Sequence, residues 1–331
     1  MKALKTELKR WKSMVPKKFF LIFPLNIEYE TLNGTRHFIV DKMKLKTRSF
    51  AHAKTNYDFK TPHMILRHDK EIRKNINDFT YVIVETSGKN QNDAFNSANK
   101  RVELFRSLLN FDLSFGMITW QIGRPRPLTR IERSKYIFVF QENRRYLGYW
   151  GNVGEFRYQL VKLTKNQIIA IKKNIKDFEK LERNKLKNIL VECLNLYGYA
   201  LDQIERGYTF LNLWQILELI ALKDASGIKL DKVKSRIKAI FKGKQIISDV
   251  LDVLFCKRND LVHEGRISDF SLQDVNQIKG ITEACIDFLW SHVNKMGNTD
   301  GLNNFYENIG LTKKKLDKKI AVLNYIKKVK P

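Results

Sequence analysis

Three cysteines are all the chain has, Cys193, Cys256 and Cys285, an odd number set far apart. A disulfide-stapled scaffold is excluded by that count, and a reducing compartment, the cytoplasm, is the expectation. Prolines number 6 and glycines 16 in 331 residues, too few for a fibrous or a Pro/Gly-rich disordered chain. No run approaches the roughly 18 consecutive apolar residues of a membrane span. Residues 19–25 (FFLIFPL) follow a basic stretch, but they are few, come late and precede no small-residue cleavage site, so no secretory leader is expected. Walker A, G-x-G-x-x-G and nucleophile-elbow patterns are missing, which removes support for nucleotide or serine hydrolysis. His63 and His68 have no cysteine nearby, and Asp58 and Asp69 do not complete a ligand set. No metal and no cofactor is therefore expected. Acids are also short, 35 against 61 bases, leaving a formal net charge of +26.

That surplus of base attracts polyanions, with nucleic acid as the first candidate partner and an anionic membrane surface as the second. Hydrophobic residues make up 43% of the chain and 21 are phenylalanine, ample for packed cores and incompatible with disorder. At about 100–200 residues per domain, two domains are expected.

The first half reads as α+β. Residues 19–25, 79–85 and 136–141 are short runs of aromatic and β-branched residues, which predicts strands. Between the last two, Ala94, Ala98, Val102, Phe105, Leu108 and Leu109 recur at helical spacing, with Asn92 and Asp93 as candidate caps. Residues 123–130 (GRPRPLTR) read as a loop. From about residue 166 the strand signals stop and helices are predicted over 167–181, 185–206, 209–223, 232–241, 244–264 and 272–296. Gly207, Gly227, Gly243 and Gly265 stand at the breaks as candidate helix stops. The expected architecture is an α+β recognition or sensor domain (1–162), an all-α helical bundle (163–300) and a basic helical tail (301–331).

The chemistry concentrates in residues 256–266, CKRNDLVHEGR, at the end of a strongly patterned helix. At 100° per residue from Val250, the apolar residues Leu251, Val253, Leu254, Phe255, Leu261 and Val262 fill one arc, and Arg258 falls inside it at about 80°. Asn259 and His263, four residues apart, share the edge of that arc at about 180° and 220°. An arginine among leucines needs a partner or a cleft, because a buried unpaired charge costs several kcal/mol. One reading is an internal ion pair with Glu218, which lies in the nearly all-apolar FLNLWQILELIAL beside Trp214 and Leu211. The other is a phosphate-facing guanidinium.

Arg258, Asn259 and His263 in RNDLVHEG, together with the upstream segment ending in Leu217–Glu218, resemble the signature of the HEPN superfamily of helical domains. The resemblance covers roughly residues 185–295. The layout of residues 79–111 resembles, more loosely, the N-terminal part of Apea-like HEPN proteins. What this resemblance implies is a metal-independent endoribonuclease of the cytoplasm, in phage defence or as a toxin, working as a homodimer. An activating ligand or phage component would be a further partner, and not every member cleaves RNA. His263 would move the proton of the RNA 2′-hydroxyl, Arg258 would face phosphate oxygens, Asn259 would hold the imidazole or the phosphate, and Glu218 would support them. A non-catalytic nucleic-acid-binding or regulatory HEPN protein is the alternative.

For RNA contact the candidates are Arg144, Arg145, Tyr146, Trp150 and Arg157, in a stretch where cations interleave with rings, also Tyr149 and Tyr158. A β-hairpin with core-facing aromatics fits the same stretch. The tail lysines add phosphate attraction or form a solvated helix face. A peripheral protein drawn to acidic lipids is set aside, because no strongly amphipathic terminal helix with bulky anchors is evident.

Overall fold

The computed structural model describes residues 15–32, 35–70, 72–118, 127–151, 159–222, 229–264 and 270–329. Among them the chain forms one six-stranded antiparallel sheet and eleven α-helices, with the C-terminal part mostly helical. It divides into two compact units, Met1–Phe115 with Leu128–Lys180, and Gly116–Pro127 with Leu181–Pro331.

In the first unit the strands are β1 (Lys17–Glu28), β2 (His37–Val40), β3 (Met43–Arg48), β4 (Phe79–Gly88), β5 (Tyr136–Gln141) and β6 (Tyr146–Gly151), in the order β2-β3-β4-β1-β5-β6. At the centre Ile22 of β1 stands opposite Ile83 of β4 on one side and Phe138 of β5 on the other. Phe20, Ile22, Tyr81, Ile83, Phe138 and Phe140 share one face and pack against Phe50 and Ala53 of α1 (Phe50–Asn56) and Leu66 of α2 (Lys60–His68). Leu21, Phe23, Val82 and Val84 point the other way and are equally buried, and α3 (Gln91–Ser114) packs on β1 and β4. Burial on both faces explains why β1 and β4 read as continuous apolar runs rather than alternating ones.

Four expectations need adjusting. Helix α3 starts before its expected caps: the Asn90 side chain accepts from the Asp93 N–H and makes Asn90 the N-cap. The helix α4 (Lys165–Glu179), expected to open the helical domain, packs on β2 and α3, so the division falls after Lys180 and not after 162. Residues 301–331 belong to the same unit as the helices before them. Gly207 does not stop a helix; it is buried in the first turn of the helix Arg206–Ile220. Gly227 and Gly265, and residues 123–126 of the expected loop, lie outside the described residues.

The second unit holds α5 (Lys185–Asp202), α6 (Arg206–Ile220), α7 (Leu230–Ile240), α8 (Gln245–Glu264), α9 (Leu272–Met296), α10 (Thr299–Asn308) and α11 (Lys313–Val329). Helix α6 is apolar nearly all round because α5 and α9 both pack against it. Gly243, at φ +85°, ends the turn that follows α7, where a side chain would be strained. Ser271 and Asp274 form a capping box at the start of α9. Among the described residues no helix is long and apolar enough to cross a membrane.

Candidate functional site

Helix α8 carries the motif, and three contacts with neighbouring helices fix its rotation. Lys257 pairs with the capping residue Asp274 of α9 at 2.7 Å. Asp252 pairs with Lys234 at 3.0 Å and Lys238 at 2.6 Å, both on α7. Phe255 sits 6.0 Å from the Trp214 ring of α6 and under the Lys234 ammonium. Leu251, Leu254 and Leu261 then face the core, and Val253 and Val262, expected inside the apolar arc, are exposed. The buried stripe is narrower than the sequence arc, and Arg258 lies near its middle.

There Arg258 Nη2 donates to Glu218 Oε1 at 3.2 Å, with each side chain 14% exposed. Trp214 Nε1–H, one turn before Glu218 on α6, donates to the same oxygen at 3.1 Å. Arg258 Nη1 reaches Asn259 Oδ1 at 3.5 Å, the outer limit of a hydrogen bond. Arg258 Nε is buried with no hydrogen-bond partner among the described residues. Asn259 is half-buried and His263 is exposed. Five residues at 100° each place Arg258 and His263 about 140° apart around the helix, so within one chain they point to different sides. The structure brings together Arg258, Glu218, Asn259 and Trp214, and leaves His263 facing solvent one turn beyond Asn259. The sequence marks Trp214 only as a neighbour of Glu218; the i, i+4 spacing is the signal that it donates to that carboxylate.

The candidate RNA-contact residues are spread over the first unit. Arg144, at φ +65° in the β5–β6 turn, lays its guanidinium over the Tyr57 ring, and the exposed Arg145 accepts a backbone bond from Gln141. Tyr146 packs on Phe140 of the α1–α2 face, whereas Trp150 stacks on Phe95 of α3 at 4.3 Å. The two rings serve opposite faces of the sheet and do not form one stacking platform. Tyr149 remains half exposed against Tyr136. Arg157 and Tyr158 lie outside the described residues.

Among the described residues no three His, Cys, Asp or Glu side chains gather as a metal site would need. His63 instead rests against Phe50, and burial lowers its affinity for a proton. No family model, no curated protein and no solved structure matches the chain.

Proposed function

We propose that the helical unit is a metal-independent endoribonuclease of the HEPN kind, acting as a cytoplasmic homodimer in phage defence or as a toxin. RNA carries its own nucleophile, the 2′-hydroxyl, so the protein needs only to move a proton and stabilise charge on the phosphate. The observation that carries this reading is that one helix presents an exposed His263 and, apart from it, an Arg258 guanidinium already held in place by Glu218. His263 is free to meet substrate. Arg258 is oriented before substrate arrives, and its Nη1 makes only a 3.5 Å bond to Asn259, so its fork has donors left for phosphate oxygens. Because the two side chains diverge by about 140° on one helix, a joint site draws on two copies of α8. Net charge of +26 favours RNA as the polyanion, and an activating ligand would be read by the sheet unit.

A second reading, a non-catalytic nucleic-acid-binding or regulatory protein, is favoured by one observation: Arg258 is mostly buried and already has a carboxylate partner. The ends of the products decide between them. Incubated with mixed RNA in EDTA, the protein is expected to leave 2′,3′-cyclic phosphate ends. No cleavage at all would favour the second reading, and strict dependence on Mg²⁺ would refute the metal-independent mechanism.

A further inference from the structure

Among the helices of the described residues α11 stands apart, because each of its residues from 313 to 328 is exposed. Its sequence is not that of a solvated helix. Ile320, Val322, Leu323, Tyr325 and Ile326 are between 41% and 68% exposed, in the run IAVLNYI where the Asn324 amide and the Tyr325 hydroxyl are the hydrogen-bonding groups and no side chain is charged. Soluble chains rarely leave such a cluster in water. Lys313, Lys314, Lys315, Lys318 and Lys319 precede the run and Lys327 and Lys328 follow it, with Asp317 as the acid of the helix. Polar and apolar residues are thus segregated along the axis, ends against middle, more than around it. That arrangement is why periodicity alone does not mark the tail as amphipathic.

The occupant of this surface must satisfy both halves. A second copy of the helix would cover the isoleucines but set seven lysines against seven, with one aspartate on each side to offset them. Nucleic acid would take the lysines and leave the aliphatic side chains in water. An anionic lipid surface takes both: headgroups neutralise the lysines while the acyl boundary covers Ile320, Leu323 and Ile326. A helix of 17 residues is about 25 Å long, so lying flat it would seat its apolar middle in the bilayer boundary. The lysine stems at both ends would reach back to the headgroups. We infer that α11 is a membrane-surface anchor that docks in the plane of an anionic bilayer. The inference does not depend on RNA cleavage.

The test is sedimentation of the full chain with vesicles of phosphatidylcholine, alone or with phosphatidylserine. The wild type is expected to bind only the vesicles with phosphatidylserine. The triple variant Ile320→Asn, Leu323→Asn, Ile326→Asn keeps every charge and touches no core residue, and its vesicle binding should fall at least about tenfold while its RNA affinity stays unchanged. Substituting Lys313, Lys314 and Lys315 by Gln should also weaken vesicle binding. Vesicle binding by the apolar triple variant equal to wild type would overturn the inference, as would no binding to phosphatidylserine vesicles. A matching loss of RNA affinity in that variant would assign the helix to RNA instead.

Discussion

Lys279 and Glu283 stand 2.6 Å apart with both side chains 2% exposed, whereas Arg258 and Glu218 stand 3.2 Å apart with both 14% exposed. Both pairs belong to the helical unit. The first is closed: Lys279 Nζ also donates to the Met117 carbonyl at 3.1 Å, and Glu283 accepts from the Tyr197 hydroxyl and from the Gly116 N–H. It uses buried charge to tie residues 116–117 to α9. The second is open: Arg258 Nη1 makes only a 3.5 Å bond to Asn259, and the exposed His263 lies in the last turn of the same helix. A closed pair holds structure and exchanges nothing. An open pair beside solvent still has donors for a phosphate, at some cost in stability.

The comparison breaks first at Glu283. Glu283→Gln strands the Lys279 ammonium in the core, and a loss of about 3–5 kcal/mol is expected in urea unfolding. A loss under about 1 kcal/mol would mean that the closed pair is not what it appears from its geometry. Arg258→Ala and Glu218→Gln are each expected to cost less, about 1–3 kcal/mol, because Trp214 still donates to Glu218 and the pair is nearer solvent. The double variant should cost no more than the worse single, since the two share one interaction. Cleavage per folded molecule separates the roles: it falls in Arg258→Ala if Arg258 faces phosphate, and holds if the pair serves only the fold.

A third buried carboxylate, in the sheet unit, gives a pH-dependent contrast. Asp112 of α3 accepts from Asn174 Nδ2 of α4 at 2.7 Å, while its other oxygen is buried without a partner among the described residues. Burial pushes its carboxyl up to about 6 against the Asn174 bond, which pulls it down. A raised acid favours folding when protonated, so stability falls as pH rises from the ordinary carboxylate value to about 6 and is flat above. Asp112→Asn removes that slope, and at pH 8 it should gain on the order of 1–2 kcal/mol over wild type in thermal melts. Equal slopes in the two proteins between pH 4 and 6 would contradict the assignment.

Much of this was legible in the sequence where burial is continuous. β1, β4 and β5 are apolar on both faces, and α5 to α9 carry long patterns, so each was readable within a few residues. β2, β3, α1 and α2 were not: four to nine residues with mixed polarity give too few repeats to show a period. The first helix after the sheet, α4, was readable as a helix but not as part of the sheet unit, because its partners β2 and α3 lie far away in sequence. At the site, the helical wheel placed Arg258 in the apolar arc and offered Glu218 as its partner beside a phosphate-facing alternative. It could not show that Val253 and Val262 turn outward, which depends on how α7 and α9 clamp α8. The interleaved rings of residues 143–151 were equally ambiguous, because alternation along a strand assigns faces only once the pairing register is known.

The smallest expected effect on stability belongs to the residue with the largest expected effect on chemistry. His263 is exposed, so His263→Ala should melt within about 0.5 kcal/mol of wild type. RNA cleavage in EDTA by this variant is the most direct test of the account. A fall of about 10²–10⁴ in rate with folding and RNA binding retained is the predicted result. Cleavage at the wild-type rate would contradict it and remove His263 from the mechanism.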